Sequence, residues 1–359
     1  MSNRDKSLNK IIKLHLEKYP QSMPQDIVKL IYQSVMGVGH MLKSKQQSRQ
    51  LVIDEAQTCT ANRSALRVEE LYGGMYRVYL CRGADTAMLC ALNDLFYLTA
   101  LHKKGDAAVL KKTLNSLVYA SFYSKARFTR REMKEYLKKY ISEGCPVCGH
   151  SEIYKTLYSP AYRVVDKRCL SLFDMFYKIE SLTEQKKKIT VAIDGMCGAG
   201  KTTAASLAAE CFGGDIVHTD DFFLPRGMRT DARMAEAGGN IDYERFNSEV
   251  SEKLSLHESF SYRRYSCKTD SLTEEISVNA AAPVTVVEGA YCLNPKISAQ
   301  YDLRFFCETD EKAQLERIKQ REGKNAVKAF KEKWIPLENK YFKECAVKKR
   351  CDAVLKTDI

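Results

Sequence analysis

Residues 195–202 read GMCGAGKT and fit the pattern G-x-x-x-x-G-K-[ST], the Walker A motif. In such a loop, glycines let backbone N–H groups point at a polyphosphate, the Lys reaches the β and γ oxygens, and the hydroxyl binds Mg²⁺. An apolar β-type segment, 189–193, precedes the loop, and a helix-forming segment, 204–210, follows it. Because strand, loop and helix agree, we favour a nucleoside triphosphate site over a chance Gly-rich turn. The predicted ATP contacts are Gly195, Met196, Cys197, Gly198, Ala199, Gly200, Lys201, Thr202 and Thr203.

Acidic residues follow two apolar segments of the same region. Asp220 and Asp221 come after segment 216–218, and Glu288 ends a Val-rich segment. Phosphoryl transfer needs a carboxylate that orients the acceptor hydroxyl and takes its proton, and it needs oxygen ligands for Mg²⁺. We expect Asp220 to be this base, with Asp221 as the alternative base or as a cap of the next turn. We predict that the Mg²⁺ site is formed by Thr202, Glu288 and Asp220. Glu288 could instead be an ordinary acidic residue at the end of a strand.

Two arginines lie one helical turn apart in segment 314–321. Arg317 and Arg321 should face the same way on a helix. Such a pair can close over a triphosphate as a lid and stabilise the charge that moves onto the transferred group. The alternative is a solvated basic helix.

Strands alternate with helices after residue 188, which predicts an α/β P-loop NTPase domain with a parallel sheet and helices on both faces. Nucleotide should bind beyond the carboxyl ends of the strands. The predicted strands are 189–193, 215–218, 284–288, 302–307 and about 352–355, and the predicted helices are 201–211, 242–256, 310–321 and about 326–344.

The front half is predicted to be mainly α-helical. A helix opens at Pro24, a second covers 88–101, and a third begins after the capping pair Thr129 and Glu132, with a short strand at 75–81 between the first two. We therefore expect three parts. They are a basic, mainly helical domain of unknown role at 1–165, a connecting helix and hinge at 166–187, and the P-loop kinase domain at 188–359.

All of the excess charge lies in the front half. Residues 1–165 hold 26 Lys and Arg against 14 Asp and Glu, whereas residues 166–359 hold 31 of each. Such a field can attract nucleic acid or another anion, but solvated Lys-rich helices produce the same imbalance, and we favour the helices.

The composition predicts a cytoplasmic protein with no membrane segment. No run of about 18 apolar residues occurs, and the basic N-terminus has no signal-peptide core. The 13 cysteines are an odd number without a disulfide-scaffold spacing, which favours reduced thiols.

Cysteine and histidine residues mark two loops of the front half. Cys145, Cys148 and His150 are spaced like residues that coordinate zinc. The fourth ligand would have to come from His40 or His102. We favour a reduced turn. The loops around His40 and His150 could instead form a second small-molecule site, although a His beside Gly is more often structural.

Four motifs, in order, resemble the uridine kinase and phosphoribulokinase family of P-loop kinases, especially its bacterial uridine kinase-like branch. They are residues 191–203, 220–225 and 287–289 and the helix of Arg317 and Arg321, and the resemblance covers about residues 185–355. It implies ATP-dependent transfer of the γ-phosphoryl group to a hydroxyl of a small metabolite. It also implies that Asp220 corresponds to the family's aspartate that activates the acceptor hydroxyl, and that Glu288 corresponds to the family's acidic residue beside the metal ion.

The resemblance places the acceptor site in the segment 229–246. It does not specify uridine, because residues 262–267 lack the His that follows a Pro-x-Tyr-Asp type segment in the authentic uridine kinases. Aromatic residues of this region, Phe223 among them, could stack on a base or belong to the core. The tentative acceptor residues are Asp221, Phe222, Arg229, Arg233, Asn240, Arg245, Tyr262 and Tyr265.

Two functions remain open from the sequence. The favoured one is an ATP- and Mg²⁺-dependent kinase that phosphorylates an alcohol group of a nucleoside-like or other small metabolite. The alternative is an RNA-associated or regulatory ATP-binding protein with a basic helical module. RNA affinity that falls steeply with salt would distinguish the alternative.

Overall fold

The computed structural model describes residues 3–41 and 44–357, and within it the chain divides into two units, Met1–Leu170 and Ser171–Ile359. The helices of the first unit are α1 (Asn3–Lys18), α2 (Pro24–Met36), α3 (Lys45–Thr58), α4 (Thr86–His102), α5 (Ala107–Ser116), α6 (Arg130–Ser142), α7 (Glu152–Tyr158) and α8 (Lys167–Leu170). Its strands are β1 (Arg67–Glu70), β2 (Met75–Tyr79) and β3 (Tyr162–Asp166).

Local signals set several helix ends of this unit as predicted. Pro24 lies in the first turn of α2, and Gly37, with φ of 71°, ends the helix. The capping box of Thr129 and Glu132 precedes α6, as the sequence indicated. These predictions are confirmed. The sequence was sufficient for them because each helix end depends on residues that lie close together in the chain.

The three strands form an antiparallel sheet in the order β1-β2-β3. Only β2 was predicted. β1 reads RVEE and is half-exposed along its length, so it lacks the apolar signal of a strand. β3 becomes a strand through its pairing with β2, in which Tyr162 lies opposite Tyr79.

The segment around Cys145 and Cys148 was weighed above as a zinc site. The structure instead places both ring nitrogens of His150 in hydrogen bonds, 3.0 Å from Asp26 Oδ1 and 2.7 Å from the Tyr162 hydroxyl. No group of three His, Cys, Asp or Glu side chains in the described part of the chain is arranged to hold a metal ion. The cysteines are free thiols.

The second unit contains the elements that position the predicted site. Its helices are α9 (Phe173–Thr183), α10 (Lys201–Phe212), α11 (Asp231–Ala235), α12 (Tyr243–Phe246), α13 (Glu252–Leu256), α14 (Glu311–Glu322), α15 (Lys324–Ala329) and α16 (Ile335–Glu344). Its strands are β4 (Ile189–Gly195), β5 (Asp215–His218), β6 (Phe260–Ser266), β7 (Ser271–Val278), β8 (Val284–Glu288), β9 (Leu303–Glu308) and β10 (Ala353–Lys356).

Five parallel strands form the central sheet in the order β10-β9-β4-β8-β5. The strand β4 lies in the middle and every residue of it is buried, as expected of a strand that is covered on both faces. Phe176 of α9 contacts Phe212 of α10 on one face. Ala192, Val217 and other side chains of the opposite face pack against α12, α13 and α16. The predicted strands and the predicted layering are confirmed.

A hairpin of β6 and β7 follows α13, and the sequence did not predict it. Most of β7 is exposed, and its sequence SLTEEISV carries little apolar periodicity. The hairpin is held from outside its own sequence, because Tyr262 and Arg264 both donate hydrogen bonds to the carboxylate of Asp221.

No helix formed by residues 3–41 or 44–357 combines the length and apolar character needed to cross a membrane.

The carboxylate of Asp194 at the end of β4 joins three segments of the second unit. It accepts hydrogen bonds from the backbone N–H groups of Gly195 (2.7 Å), Tyr291 (3.3 Å) and Leu293 (3.0 Å), and from the Tyr341 hydroxyl on α16 (2.7 Å). The side chain is fully buried. Burial raises the pKa of Asp194, and the hydrogen bonds from Leu293 and Tyr341 oppose that rise.

Replacing Tyr341 by Phe should lower the free energy of unfolding of residues 171–359 by about 1.5–3 kcal/mol, because a buried carboxylate loses a donor. Tyr301→Phe is the matched control, since its buried hydroxyl donates to the neutral carbonyl of Cys292, and a loss of about 0.5–1.5 kcal/mol is expected. Urea unfolding followed by the fluorescence of Trp334, the single Trp of the chain, measures both. An equal loss in the two variants would contradict the special role of the Asp194 contact.

Candidate nucleotide-binding and acceptor site

The loop at residues 195–202 leaves the central strand β4 and leads into α10. Gly195 has φ of 132°, and a Cβ at this position would lie 2.1 Å from the carbonyl oxygen of Cys307. Gly200, in the left-handed region, precedes α10 and provides no side-chain cap for it. The first N–H groups of α10 are therefore left for an anion, and the positive end of the helix dipole favours the same ligand.

The Lys201 side chain reaches back to the start of the loop. Its Nζ donates to the carbonyl oxygens of Gly195 (2.8 Å) and Met196 (3.0 Å). Burial alone would lower the pKa of Lys201, but nearby carboxylates outweigh it and raise the pKa above its ordinary value. Lys201 therefore stays protonated. These carboxylates belong to Glu338, Asp220, Asp194 and Glu288.

Asp220 lies in the turn that follows β5, where its side chain has an exposed surface. Surrounding protein raises the pKa of Asp220 to about 6, and the charge of Lys201 limits the rise. Its carboxylate forms no hydrogen bond with any residue in the described part of the chain. The structure thus brings Asp220 and Lys201 into one charge cluster, and it leaves the Asp220 oxygens available to a ligand.

Asp221 has a different environment, although it is adjacent in sequence. It is buried, and its two oxygens accept hydrogen bonds from the Tyr262 hydroxyl (2.9 Å) and from Nε of Arg264 (2.8 Å). Both oxygens hold the β6–β7 hairpin. Of the two predicted base candidates, Asp220 alone has free oxygens among the described residues.

Thr202 and Glu288 meet at the edge of the sheet. The Thr202 hydroxyl donates to Glu288 Oε1 over 3.1 Å, and His218 Nδ1 lies 2.6 Å from the same oxygen. The hydrogen bond to Glu288 raises the pKa of His218 despite burial. A hydroxyl and a carboxylate in contact are an oxygen donor set of the kind that Mg²⁺ takes from proteins, so the residues present fit this ion.

The two predicted lid arginines have separate surroundings. Arg317 donates to the carbonyl oxygens of Gly198 (3.0 Å) and Thr357, which joins its guanidinium to the loop backbone. Arg321 is exposed, and its Nε donates to Glu322 (2.8 Å). The charge of Arg321 also acts to lower the pKa of Asp220. Arg317 therefore supports the loop, while Arg321 is oriented by a surface ion pair.

Sequence reasoning missed Glu338 and His218. Glu338 on α16 is buried, and its Oε2 accepts a hydrogen bond of 2.9 Å from the N–H of Cys197, 141 residues away in sequence. Burial raises the pKa of Glu338, and Lys201 opposes the rise. No local signal identifies this residue. His218 pairs in register with Glu288, which becomes visible only when β5 is known to neighbour β8.

Most of the tentative acceptor residues have partners inside the protein. Phe222 is fully buried against Phe246 and Tyr262, with the Arg245 guanidinium 4.2 Å above its ring. Packing and internal hydrogen bonds account for these side chains. The internal partners of the others are Leu224 for Arg229, Glu244 for Arg233 and Asp270 for Tyr265, and Asn240 is buried.

The central β4 strand, the glycine loop that follows it and the helices on both faces of the sheet together form the P-loop NTPase fold predicted from the sequence. A scan against protein-family models and a search of curated proteins each gave no match. A search of solved structures matched a possible uridine kinase from Bacillus stearothermophilus, at 17% identity and a TM-score of 0.38, over 51% of this chain and 99% of that one. It also matched a proposed fructose transport system kinase from Silicibacter sp. TM1040, at 21% identity and a TM-score of 0.38, over 49% of this chain and 96% of that one. At these scores the likeness carries no inference about the chemistry of this chain.

Replacing Lys201 by Met should raise the pKa of Asp220 above about 6, because the nearest cation that favours the ionised carboxylate is removed. Titration of the Asp side-chain carboxyl carbons by ¹³C NMR, with the Asp220 signal assigned from the Asp220→Asn variant, measures the shift. Lys253→Met is the control, since this lysine pairs with Glu258 at the surface. An unchanged pKa of Asp220 in Lys201→Met would show that the two groups do not interact.

Proposed function

We propose that residues 171–359 form an ATP-dependent phosphotransferase that acts on a hydroxyl group of a small metabolite. One observation carries the proposal. A carboxylate with free oxygens and a pKa of about 6, Asp220, shares a charge cluster with the protonated lysine of a phosphate-binding loop. The order of the four motifs, which resembles that of uridine kinase-like enzymes, supports ATP as the donor.

The loop and its lysine would bind the donor phosphates. The N–H groups at the start of α10 and the Lys201 ammonium supply positive charge where the phosphate oxygens would lie. The carbonyl contacts of Lys201 with Gly195 and Met196 keep the ammonium at the loop. Arg317 holds the loop backbone from its other side through Gly198.

Thr202 and Glu288 would hold Mg²⁺, with Asp220 as a further oxygen ligand or as a partner of its water shell. Mg²⁺, when bound, would neutralise negative charge on the phosphates. His218 orients Glu288 through its bond to Oε1 and leaves Oε2 for the metal or a water molecule.

Asp220 would act on the acceptor. A carboxylate with a pKa of about 6 is largely ionised at neutral pH, and it can accept the hydrogen bond of an alcohol and then its proton. Asp221, one residue on, holds the β6–β7 hairpin, so the turn that carries Asp220 is fixed from the opposite side. The acceptor is an alcohol of a nucleoside-like or other small metabolite.

The proposal is tested by an ATP-consumption screen of the full chain over nucleosides, sugars, vitamins and phosphorylated sugars, with Mg²⁺ present. A substrate should increase ATP consumption and appear as its phosphate ester by mass spectrometry. Tight ATP binding without any phosphorylated product across the panel would instead favour a nucleotide-binding protein without kinase activity.

Lys201→Ala should abolish ATP turnover, and Asp220→Asn should lower kcat by about 10²-fold or more while ATP binding is retained. The first change removes the ammonium that would bind the phosphates. The second removes the base and one acidic group beside Mg²⁺, but it leaves Thr202 and Glu288 to hold the ion. Asp174→Asn is the control, because this exposed residue lies on α9 and belongs neither to the loop nor to the carboxylates around Lys201. Turnover at the normal rate in Asp220→Asn would exclude Asp220 as the base.

The pH profile should report the same group. The folded-state pKa of Asp220 is raised to about 6, so the base is protonated below this pH, and kcat/KM should rise through about pH 6 and then level. Steady-state rates between pH 5 and 8 with the substrate found in the screen measure this limb. A profile that is flat across this range would mean that no group with this pKa takes part.

A further inference from the structure

A cavity of about 520 Å³ lies within the first unit, between α2, α3, α4 and β3. Its size is in the range of small-molecule binding sites. Part of the wall is apolar and includes Leu51, Phe96 and Val164, and another part is made of polar side chains from α2 and β3. Nothing in the proposed kinase chemistry uses this cavity.

Lys29 is the charged group of the polar wall without an acidic partner. It is half-buried on α2, and its Nζ donates to the carbonyl oxygen of Cys148 over 3.3 Å. No carboxylate oxygen of residues 3–41 or 44–357 forms an ion pair with it. Asp26 lies one turn earlier, and its negative charge favours the protonated form of Lys29. It forms no ion pair with Lys29, since its carboxylate accepts from His150, Ser151 and the Met23 N–H.

The remainder of the polar wall is joined by hydrogen bonds. The Tyr162 hydroxyl bonds to Nε2 of His150 (2.7 Å) and accepts from Nε2 of Gln33 (3.2 Å), while Arg77 donates to Oε1 of Gln33 (2.9 Å). Burial lowers the pKa of His150 to about 4, so its ring is neutral near pH 7. The network therefore presents hydrogen-bonding groups to the cavity. The charges that accompany it, on Asp26 and Arg77, shift the pKa of Lys29 in opposite directions, and neither forms an ion pair with Lys29.

The other charged groups of the wall offset one another or face water. Arg163 Nη1 lies 2.8 Å from Glu55 Oε2, which neutralises both. Asp54 is exposed at the rim and accepts from the Gln50 amide. Lys29 is thus the basic side chain of the wall that forms no ion pair in the described part of the chain, and it lines the cavity together with apolar surface.

We propose that this cavity binds a small organic carboxylate, whose anionic group pairs with Lys29 and whose apolar body packs against Phe96, Leu51 and Val164. A monoanion matches the single ammonium of Lys29 and adds the least negative charge beside Asp26. A phosphate dianion would leave surplus negative charge near Asp54 and Glu55. Gln33, one turn from Lys29 on the same face of α2, can donate to the second carboxylate oxygen.

The test uses the full chain and three carboxylates, benzoate, phenylacetate and hexanoate, each compared with its neutral amide by isothermal titration calorimetry. At least one carboxylate should bind saturably, and its amide should bind about 10-fold more weakly or worse, because the charge-assisted contact is lost. Lys29→Gln should weaken the binding of that carboxylate by about 10-fold or more, and Lys29→Arg should retain most of it. Lys112→Gln, at an exposed position on α5, should leave the affinity unchanged.

Three results would overturn the proposal. In the first, none of the three carboxylates reaches saturating binding below about 10 mM. In the second, a carboxylate and its amide bind with equal affinity, and in the third, Lys29→Gln leaves the affinity unchanged. Phenyl phosphate is included as a fourth ligand, and tighter binding of this ester than of benzoate would replace the carboxylate by a phosphate. Circular dichroism of each variant verifies that it is folded. None of these measurements depends on the proposed binding of ATP to residues 195–202, so the carboxylate proposal and the kinase proposal are tested separately.

Discussion

The buried carboxylate of Asp194 is the constraint on which the second unit depends. A carboxylate without solvent needs donors, and it takes them from the start of the phosphate loop, from the segment after β8 and from α16. Each of these segments carries a group of the site, namely Lys201, Glu288 and Glu338. Because one side chain holds all three segments, the geometry of the loop and that of its acidic surroundings are coupled.

The acidic surroundings have a second consequence, which is electrostatic. Three carboxylates near Lys201, besides that of Asp194, keep the ammonium charged, and their mutual repulsion contributes to the raised pKa of Asp220. Such a concentration of like charge opposes stability, yet the raised carboxylate pKa that it produces suits the proton acceptor of the proposed phosphotransferase. Glu338 is the least expected member, since its carboxylate occupies an N–H group of an anion-binding loop.

In the first unit, buried polar side chains are stabilised mainly by hydrogen bonds to one another. Its network from Asp26 through His150, Tyr162 and Gln33 pairs donors with acceptors and includes a neutral imidazole. Lys29 differs, because it lines a cavity and its ammonium has a carbonyl oxygen as its hydrogen-bond partner. A basic side chain without an ion pair, beside apolar cavity surface, suits the anionic ligand proposed above.

Local patterns in the sequence determined the phosphate loop, the five strands of the parallel sheet and the capping box of Thr129 and Glu132. Each depends on residues within a few positions of one another, and spacing alone expresses them. The strands β1, β6 and β7 were not predicted, because half-exposed polar strands form through pairing rather than through their own periodicity. The short strand β3 was also not predicted, although most of its residues are buried.

Only the tertiary structure decided the surroundings of each acid. The sequence favoured Asp220 over its neighbour Asp221 as the base, and the structure shows that the β6–β7 hairpin occupies both oxygens of Asp221. His218 reaches Glu288 because β5 neighbours β8, and Glu338 reaches Cys197 across 141 residues. Strand order and long-range packing result from burial of the whole core, which no short window of sequence contains.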